Sequence, residues 1–318
     1  MAQAVQYTRL GGPEVLELAE IPTPAAPADG VVVEVRAVGV NPIEYKLRSG
    51  LRPSPPITEP RRLGTDASGV IVEVGGDVSG WSVGDQVILT EAEGTYATHV
   101  VATTGQMERK PAGVSWAQAA AIGTPIGTAY QVLRSLEVGE ADALLIHGGA
   151  GAVGQAAVQL ARLWGATVIA TASERGHARL AELGAIPVAY GPGLLERVRA
   201  AAPGGVDVIL DAVGTDEVLD VSFELRPDRS RIGTVVVGAR AAELGIAAWR
   251  GGNPLPLTEQ EQAWRHEAVG VVADLIDRGE FQIDMGSEYP LARAADAHRE
   301  LESGNARGKI ILDPTARA

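Results

Sequence analysis

The run Ala143-Leu-Leu-Ile-His147 leads straight into the glycine cluster Gly148-Gly-Ala-Gly-Ala-Val-Gly154, and an Ala/Gln-rich helical pattern covers residues 155–164. That order is strand, turn, helix, with Gly149, Gly151 and Gly154 spaced as G-x-G-x-x-G, the arrangement of a dinucleotide-binding unit. Glycine admits positive φ in such a turn, and a backbone without side chains lets a pyrophosphate come close. The helix N-terminus then presents N–H groups and the positive end of its dipole to the phosphates.

Glycine makes up 39 of the 318 residues, so the motif needs its context. After Gly165-Ala166 comes a second apolar run, Thr167-Val-Ile-Ala-Thr171, at the distance a parallel β-α-β unit requires. Helical residues 176–183, Gly184-Ala185 and Pro187-Val-Ala-Tyr190 repeat the pattern. Val206-Asp-Val-Ile-Leu210 and Arg231-Ile-Gly-Thr-Val-Val-Val237 read as two further buried strands. The first hundred residues differ. Val31-Val-Val-Glu-Val-Arg-Ala-Val38, Gly69-Val-Ile-Val-Glu-Val74, Val83-Gly-Asp-Gln-Val-Ile-Leu89 and Ala97-Thr-His-Val-Val101 are short strands between Gly and Pro turns. They predict an irregular β-barrel or sandwich. After a helical stretch over residues 258–278 the tail returns to this style.

A net charge of −13 argues against a nucleic acid or an anionic membrane as partner, because neither field attracts an acidic surface. No apolar stretch reaches membrane-spanning length, and the N-terminus carries no signal pattern. The absence of cysteine excludes disulfides and thiolate zinc sites and is compatible with a cytoplasmic location.

Several separate motifs follow one another in order: Gly12-Pro-Glu-Val-Leu16, Gly39-Val-Asn-Pro-Ile43 with Lys46 and Arg48-Ser-Gly50, and Gly64-Thr-Asp-Ala-Ser-Gly69. Val74-Gly75, Val83-Gly-Asp85, Lys110-Pro111, the glycine loop and Gly308-Lys-Ile-Ile-Leu312 complete the series. In these the chain resembles the medium-chain dehydrogenase/reductase superfamily, within it the zinc-free quinone oxidoreductase (zeta-crystallin-like) branch. The resemblance implies an α/β fold: a Rossmann doubly wound parallel sheet, residues 123–261, inserted into a GroES-like β-barrel catalytic domain, residues 1–122 plus 262–318. It also implies NADPH-dependent hydride transfer to a quinone, or to the C=C bond of an α,β-unsaturated carbonyl, in a cleft between the domains. An enoyl-thioester reductase and a non-catalytic NADPH-binding sensor are the alternatives. Relatives pair through an edge strand of the nucleotide domain, so residues 231–237 are expected to join two sheets in a homodimer.

Zinc-dependent relatives carry Gly-His-Glu where this chain has Gly64-Thr65-Asp66, and cysteine where it has Asn41, so no metal is expected. His147 reads as a packing residue. Pyrophosphate is expected on Gly149, Ala150, Gly151, Ala152, Val153 and Gly154. The second strand ends near Ala172 and Ser173, without the carboxylate that accepts a ribose 2′-hydroxyl in NAD enzymes. Ser173 and Arg175 suit a 2′-phosphate, hydroxyl beside guanidinium, although Glu174 intervenes. Tyr190 matches a family position at the adenosine end.

Reduction of an enone needs donors for the developing enolate and a source of protons. Lys46 is the expected proton donor. Asn41 is expected near the nicotinamide as an amide donor. Thr124 is expected to orient substrate or carboxamide, with Thr128 one helical turn on; helix capping is the structural alternative for both. Arg52 stands where many relatives have tyrosine, which hints at a negatively charged acceptor. Trp249 lies in a segment expected to line the substrate side.

Overall fold

A computed structural model gives the structure of residues 1–316. The chain divides into two compact units, Met1–Thr124 with the segment from Val269 onwards, and Pro125–Ala268. Both crossings, Thr124 to Pro125 and Ala268 to Val269, lie within helices.

The first unit opens with β1 (Ala2–Tyr7), β2 (Glu17–Ile21) and β3 (Gly30–Gly39), then helix α1 (Pro42–Ser49). β4 (Arg61–Arg62), β5 (Asp66–Val74), β6 (Gln86–Leu89), β7 (His99–Thr103) and β8 (Met107–Arg109) follow, and α2 (Trp116–Ser135) leads out. β2, β1 and β4 form a small antiparallel sheet. The larger sheet is organised by β3, whose register with β5 runs from Val31↔Val74 to Gly39↔Asp66, with shifts after Val32 and Val35. Such bulges increase the local twist and bend a strand. The other edge of β3 serves two partners, residues 30–34 pairing with β7 and residues 38–39 with the last strand of the chain. Val33, Val35, Ile71, Val87, Leu89, Tyr96 and Val100 are buried against one another in the core.

In the second unit the strand–helix repeat unrolls: β9 (Ala143–His147), α3 (Ala152–Leu163), β10 (Thr167–Ala172), α4 (Glu174–Glu182), β11 (Ile186–Ala189) and α5 (Leu194–Ala201). Then come β12 (Val208–Asp211), α6 (Asp216–Leu225), β13 (Ile232–Thr234), α7 (Ala241–Leu244), β14 (Ala247–Ala248) and α8 (Glu259–Asp277). All six strands are parallel in the order β11-β10-β9-β12-β13-β14. The chain reverses direction across the sheet between β9 and β12, the switch point where ligands bind beyond the strands' carboxyl ends. One expectation is corrected: residues 231–237 are not an edge. β13 is covered by β14, so pairing through β13 is closed to a second copy. The short apolar β14 lies just before Trp249, in the segment that the sequence assigns to the substrate side.

β15 (Met285–Pro290), α9 (Ala294–Glu302) and β16 (Lys309–Asp313) complete the first unit. β16 is antiparallel to β3 in the register Ile311↔Gly39. Continued by two residues, that register sets Lys309 opposite Asn41. No helix among the described residues is long and apolar enough to cross a membrane.

Candidate active site

In the second unit the glycine turn is shaped by crowding. Gly148 alone of its glycines has positive φ, 82°. Its N–H donates to Thr171 Oγ1 at 3.2 Å, and that of Gly149 to the Thr171 carbonyl at 2.8 Å. The three fingerprint glycines serve space instead. A Cβ on Gly149 would lie 2.7 Å from that of Ala170, and one on Gly154 would lie 2.3 Å from the Gly148 carbonyl oxygen. Gly151 differs, since a Cβ there would meet only the Gly148 carbonyl oxygen, at an ordinary 3.5 Å. Gly151 is the N-cap of α3, and no side chain caps it. The first turn of a helix leaves N–H groups without helical partners. A bare, uncapped helix start at the switch point fits a pyrophosphate.

Ser173 is the N-cap of α4, and its hydroxyl also makes no capping bond. Arg175 is exposed and in no ion pair among the described residues, and Glu174 is exposed beside it. Tyr190 follows β11 and is 58% exposed. The loop bearing it is held by Arg197, whose guanidinium donates to the carbonyls of Ala189, Gly191 and Pro192 at 2.8–3.0 Å. Arg197 had no role in the sequence reading. His147 is fully buried, within reach of Thr171 Oγ1 (3.5 Å) and Ser222 Oγ (3.2 Å), and burial pulls its pKa down to about 4. It is a packing residue.

The first unit holds a different arrangement where β3 ends. A Cβ on Gly39 would lie 2.2 Å from the Ala120 carbonyl oxygen, and one on Gly123 would lie 2.3 Å from Asp66 Oδ1, so these glycines let α2 lie against β3 and β5. Asn41 is the N-cap of α1 and forms a capping box with Glu44. Its N–H donates to Glu44 Oε2 at 2.6 Å. Its side-chain amide also donates from Nδ2 to Asp66 Oδ2 at 2.9 Å and accepts at Oδ1 a short hydrogen bond from Lys309 Nζ. Lys309 Nζ also lies 4.0 Å from Asp66 Oδ2. On the far side of Asp66, Thr124 donates from its backbone N–H at 2.8 Å and from its hydroxyl at 3.0 Å.

Asn41, Glu44, Asp66 and Lys309 are each at most 4% exposed. Burying two carboxylates with one ammonium leaves a charge in excess, and the cluster sheds it at Glu44. Burial is the main cause that pushes the Glu44 carboxyl up to about 8, helped by Asp66 and opposed by Lys309. Asp66 and Lys309 then form a neutral pair.

Of the sequence candidates, the structure brings Asn41 and Thr124 together through Asp66 but leaves Lys46 outside. Lys46 lies in the last turn of α1, half-buried, its side chain in no ion pair or hydrogen bond among the described residues. Asn41 Nδ2 also donates to Gly39 O and Glu44 Oε1, both at 3.4 Å, long bonds that a ligand oxygen has to displace. Neither threonine is a helix cap, since both lie inside α2. Thr128 is buried and accepts a short hydrogen bond from Arg265. Trp249 is 8% exposed, and its indole N–H donates to Glu261. Asp66 and Lys309, which the sequence reading passed over as site residues, are the cluster's centre. The available signal was composition: only three of the 27 basic residues are lysine, and one of them opens a buried strand.

Residues 27–135 match the alcohol dehydrogenase GroES-like domain family and residues 183–312 the zinc-binding dehydrogenase family. The chain is 32% identical over 333 residues to the quinone oxidoreductase of Mus musculus, covering 98% of each protein. The structure of the quinone oxidoreductase from Coxiella burnetii superposes with a TM-score of 0.85 at 32% identity, over 99% of both chains. That of the Escherichia coli quinone oxidoreductase complexed with NADPH gives 0.83 at 27% identity, over 99% of this chain and all of the other. With the glycine turn at the switch point and these relatives along its whole length, the chain belongs to the quinone oxidoreductase branch of the medium-chain dehydrogenase/reductase superfamily.

Proposed function

We propose that the protein is a zinc-independent, NADPH-dependent reductase whose acceptor is a quinone or the C=C bond of an α,β-unsaturated carbonyl. One observation supports this most: the ammonium of Lys309 lies between Asn41 and Asp66, the positions where zinc-dependent relatives carry a cysteine and the Gly-His-Glu motif. The donor set is an amide, hydroxyls and one carboxylate already balanced by an internal cation, which is poor chemistry for a tetrahedral zinc site. Thr65 is the remaining motif position, and its hydroxyl has no partner among the described residues.

When bound, the nicotinamide supplies hydride from C4. The α3 N-terminus with Gly149, Ala150, Gly151, Ala152, Val153 and Gly154 binds the pyrophosphate, and Ser173 with Arg175 binds the 2′-phosphate. Tyr190 would help hold the adenosine end, and Thr128 the nicotinamide end. The hydroxyl oxygen of Thr124, its proton engaged by Asp66, accepts from the carboxamide. The remaining Nδ2 hydrogen of Asn41 steadies the acceptor's carbonyl oxygen, and Lys46 returns a proton to the reduced product. The NADPH complex is that of the Escherichia coli relative; for this chain the guanidinium of Arg175, in no ion pair among the described residues, supports the same cofactor.

The test is NADPH oxidation by EDTA-treated protein with 1,4-benzoquinone and an α,β-unsaturated ketone side by side, and NADH as control. Turnover of either acceptor with preference for NADPH is expected, and Arg175→Ala should raise KM for NADPH roughly 10-fold or more while leaving NADH unaffected. A requirement for added zinc, or equal use of both cofactors, would overturn the corresponding part. A second reading, an enoyl-thioester acceptor, is favoured by Lys46 and Arg52: the Arg52 N–H donates to the Lys46 carbonyl at 2.9 Å, and neither side chain has an ionic partner among the described residues. Turnover of an enoyl-CoA in preference to quinone and ketone selects it. NADPH binding without turnover of any acceptor selects the sensor. On family grounds we also propose a cytoplasmic homodimer, to be checked by sedimentation.

A further inference from the structure

We propose that Lys309 is the positioning residue of the active site: its buried ammonium fixes the Asn41 amide, and through Asp66 the Thr124 hydroxyl, in the orientation the reaction uses. The proposal rests on the reductase reading for its kinetic arm only. An asparagine N-cap ordinarily turns its side-chain oxygen back to the first turn of its own helix. In Asn41, within its capping box with Glu44, that oxygen also accepts a short hydrogen bond from Lys309. An amide has one acceptor end and one donor end, so anchoring Oδ1 on an ammonium forces Nδ2 toward Asp66, where it is found at 2.9 Å. Asp66 is thereby oriented with its two oxygens toward the N–H and O–H of Thr124.

A simple counter-ion role would explain the 4.0 Å approach of Lys309 to Asp66 but not its shorter bond to the neutral Asn41. The choice of lysine is itself informative, because this chain otherwise uses arginine for almost every cation. A planar guanidinium would match the Asp66 carboxylate in a two-pronged bond, whereas a compact ammonium can serve an amide oxygen and a carboxylate at once.

The experiment separates holding Asn41 from neutralising Asp66. Asp66→Asn removes the charge that Lys309 balances, and Lys309→Met is then added in that background, where no carboxylate at position 66 is left uncompensated. Positioning by Lys309 predicts that the double variant, compared with Asp66→Asn alone, loses a further tenfold or more in kcat with 1,4-benzoquinone, while KM for NADPH stays within about twofold. A counter-ion role predicts equal kcat in the two variants, and that result overturns the proposal. A second readout needs no turnover. The chain has three asparagines, so selective 15N labelling gives three side-chain amide pairs, with Asn41 assigned by Asn41→Ser. The Asn41 pair should be strongly inequivalent and slow to exchange in the wild type and in Asp66→Asn, and ordinary in the double variant. An unchanged pair also overturns the proposal. If the wild type turns over no acceptor, the reductase reading fails, and the amide spectrum still decides the role of Lys309.

Discussion

The nucleotide turn and the buried cluster are built by opposite means. Around Gly148 to Gly154 the chain works by subtraction: side chains are missing where backbone must approach backbone. Around Asn41 it works by addition: Glu44, Asp66 and Lys309 are driven into a valine-rich interior and must balance one another. A turn made by subtraction binds ligand through backbone dipoles, so its parts can be altered one at a time. A cluster made by addition ties its chemistry to the stability of the fold, because each charge is tolerable only with its partner.

The largest effect should come from breaking that balance. Lys309→Met strands Asp66 in the interior and should cost about 3–5 kcal/mol, the range for removing one partner of a buried pair. Asp66→Asn together with Lys309→Met should recover most of it. Urea unfolding of the four proteins of the cycle measures the coupling. A loss below about 1 kcal/mol for Lys309→Met would mean that the charges are not mutually dependent.

The glycine turn should respond on a smaller scale and unevenly. Gly154→Ala drives a methyl to 2.3 Å from one backbone oxygen and 2.7 Å from the Gly149 Cα, where nothing flexible can give way. Overpacking of this kind costs about 1–3 kcal/mol. Gly151→Ala meets only ordinary contact and should stay within about 0.5 kcal/mol of wild type. NADPH affinity, read by fluorescence titration, should nevertheless fall for both, because position 151 borders the space a phosphate needs. A Gly151→Ala protein that binds NADPH normally would place the phosphates elsewhere.

The same contrast explains what could be read in advance. Each β-α unit of the parallel sheet is written in a short stretch of chain, so its strands and the glycine turn were legible from periodicity and punctuation. The cluster joins Asn41 to Asp66 across 25 positions and to Lys309 across 268, through a strand pairing that no local pattern encodes. Lys46 stood out because it lies close to Asn41 in sequence; Lys309 resembled an ordinary strand start. Short elements were lost for a related reason: α1 is eight residues and β14 two, too brief for a period to show, and missing β14 made β13 look like an edge.

The two regions also pull stability in opposite directions with pH. The Glu44 carboxyl, raised from 4.5 to about 8 chiefly by burial, binds its proton more tightly in the folded chain. Its contribution is complete below about pH 4.5 and is lost as pH rises through 8. His147 in the nucleotide unit is lowered from 6.5 to about 4, and His298, in the first unit but outside the cluster, to about 3, both chiefly by burial. Their contributions are present above 6.5 and lost as pH falls through those values. Between pH 6.5 and 8 the histidines are silent, and Glu44 should make stability decline by at most about 1.4 kcal/mol per pH unit. Burial also loosens the proton of the adjacent Lys309, which opposes that slope. The discriminating quantity is therefore the difference from Glu44→Gln, whose unfolding free energy should change less steeply across this window. Parallel curves would show Glu44 to be ionised in the folded protein.

Lys46→Gln should perturb the fold least, because Lys46 has no ionic partner among the described residues to lose, and substitutions of that kind stay within about 0.5 kcal/mol. Its interest lies in setting Lys46 against Lys309. Lys309 is buried and committed to Asn41, so its proton is not available for transfer without dismantling the cluster. Lys46 is half-buried and uncommitted, which is the condition for donating a proton and being recharged from water. If it protonates the product, kcat with the unsaturated ketone should fall by about 100-fold or more at unchanged stability, the usual scale for a positioned acid. If kcat survives, water delivers the proton, and the site's only essential ammonium is the one that never leaves Asn41.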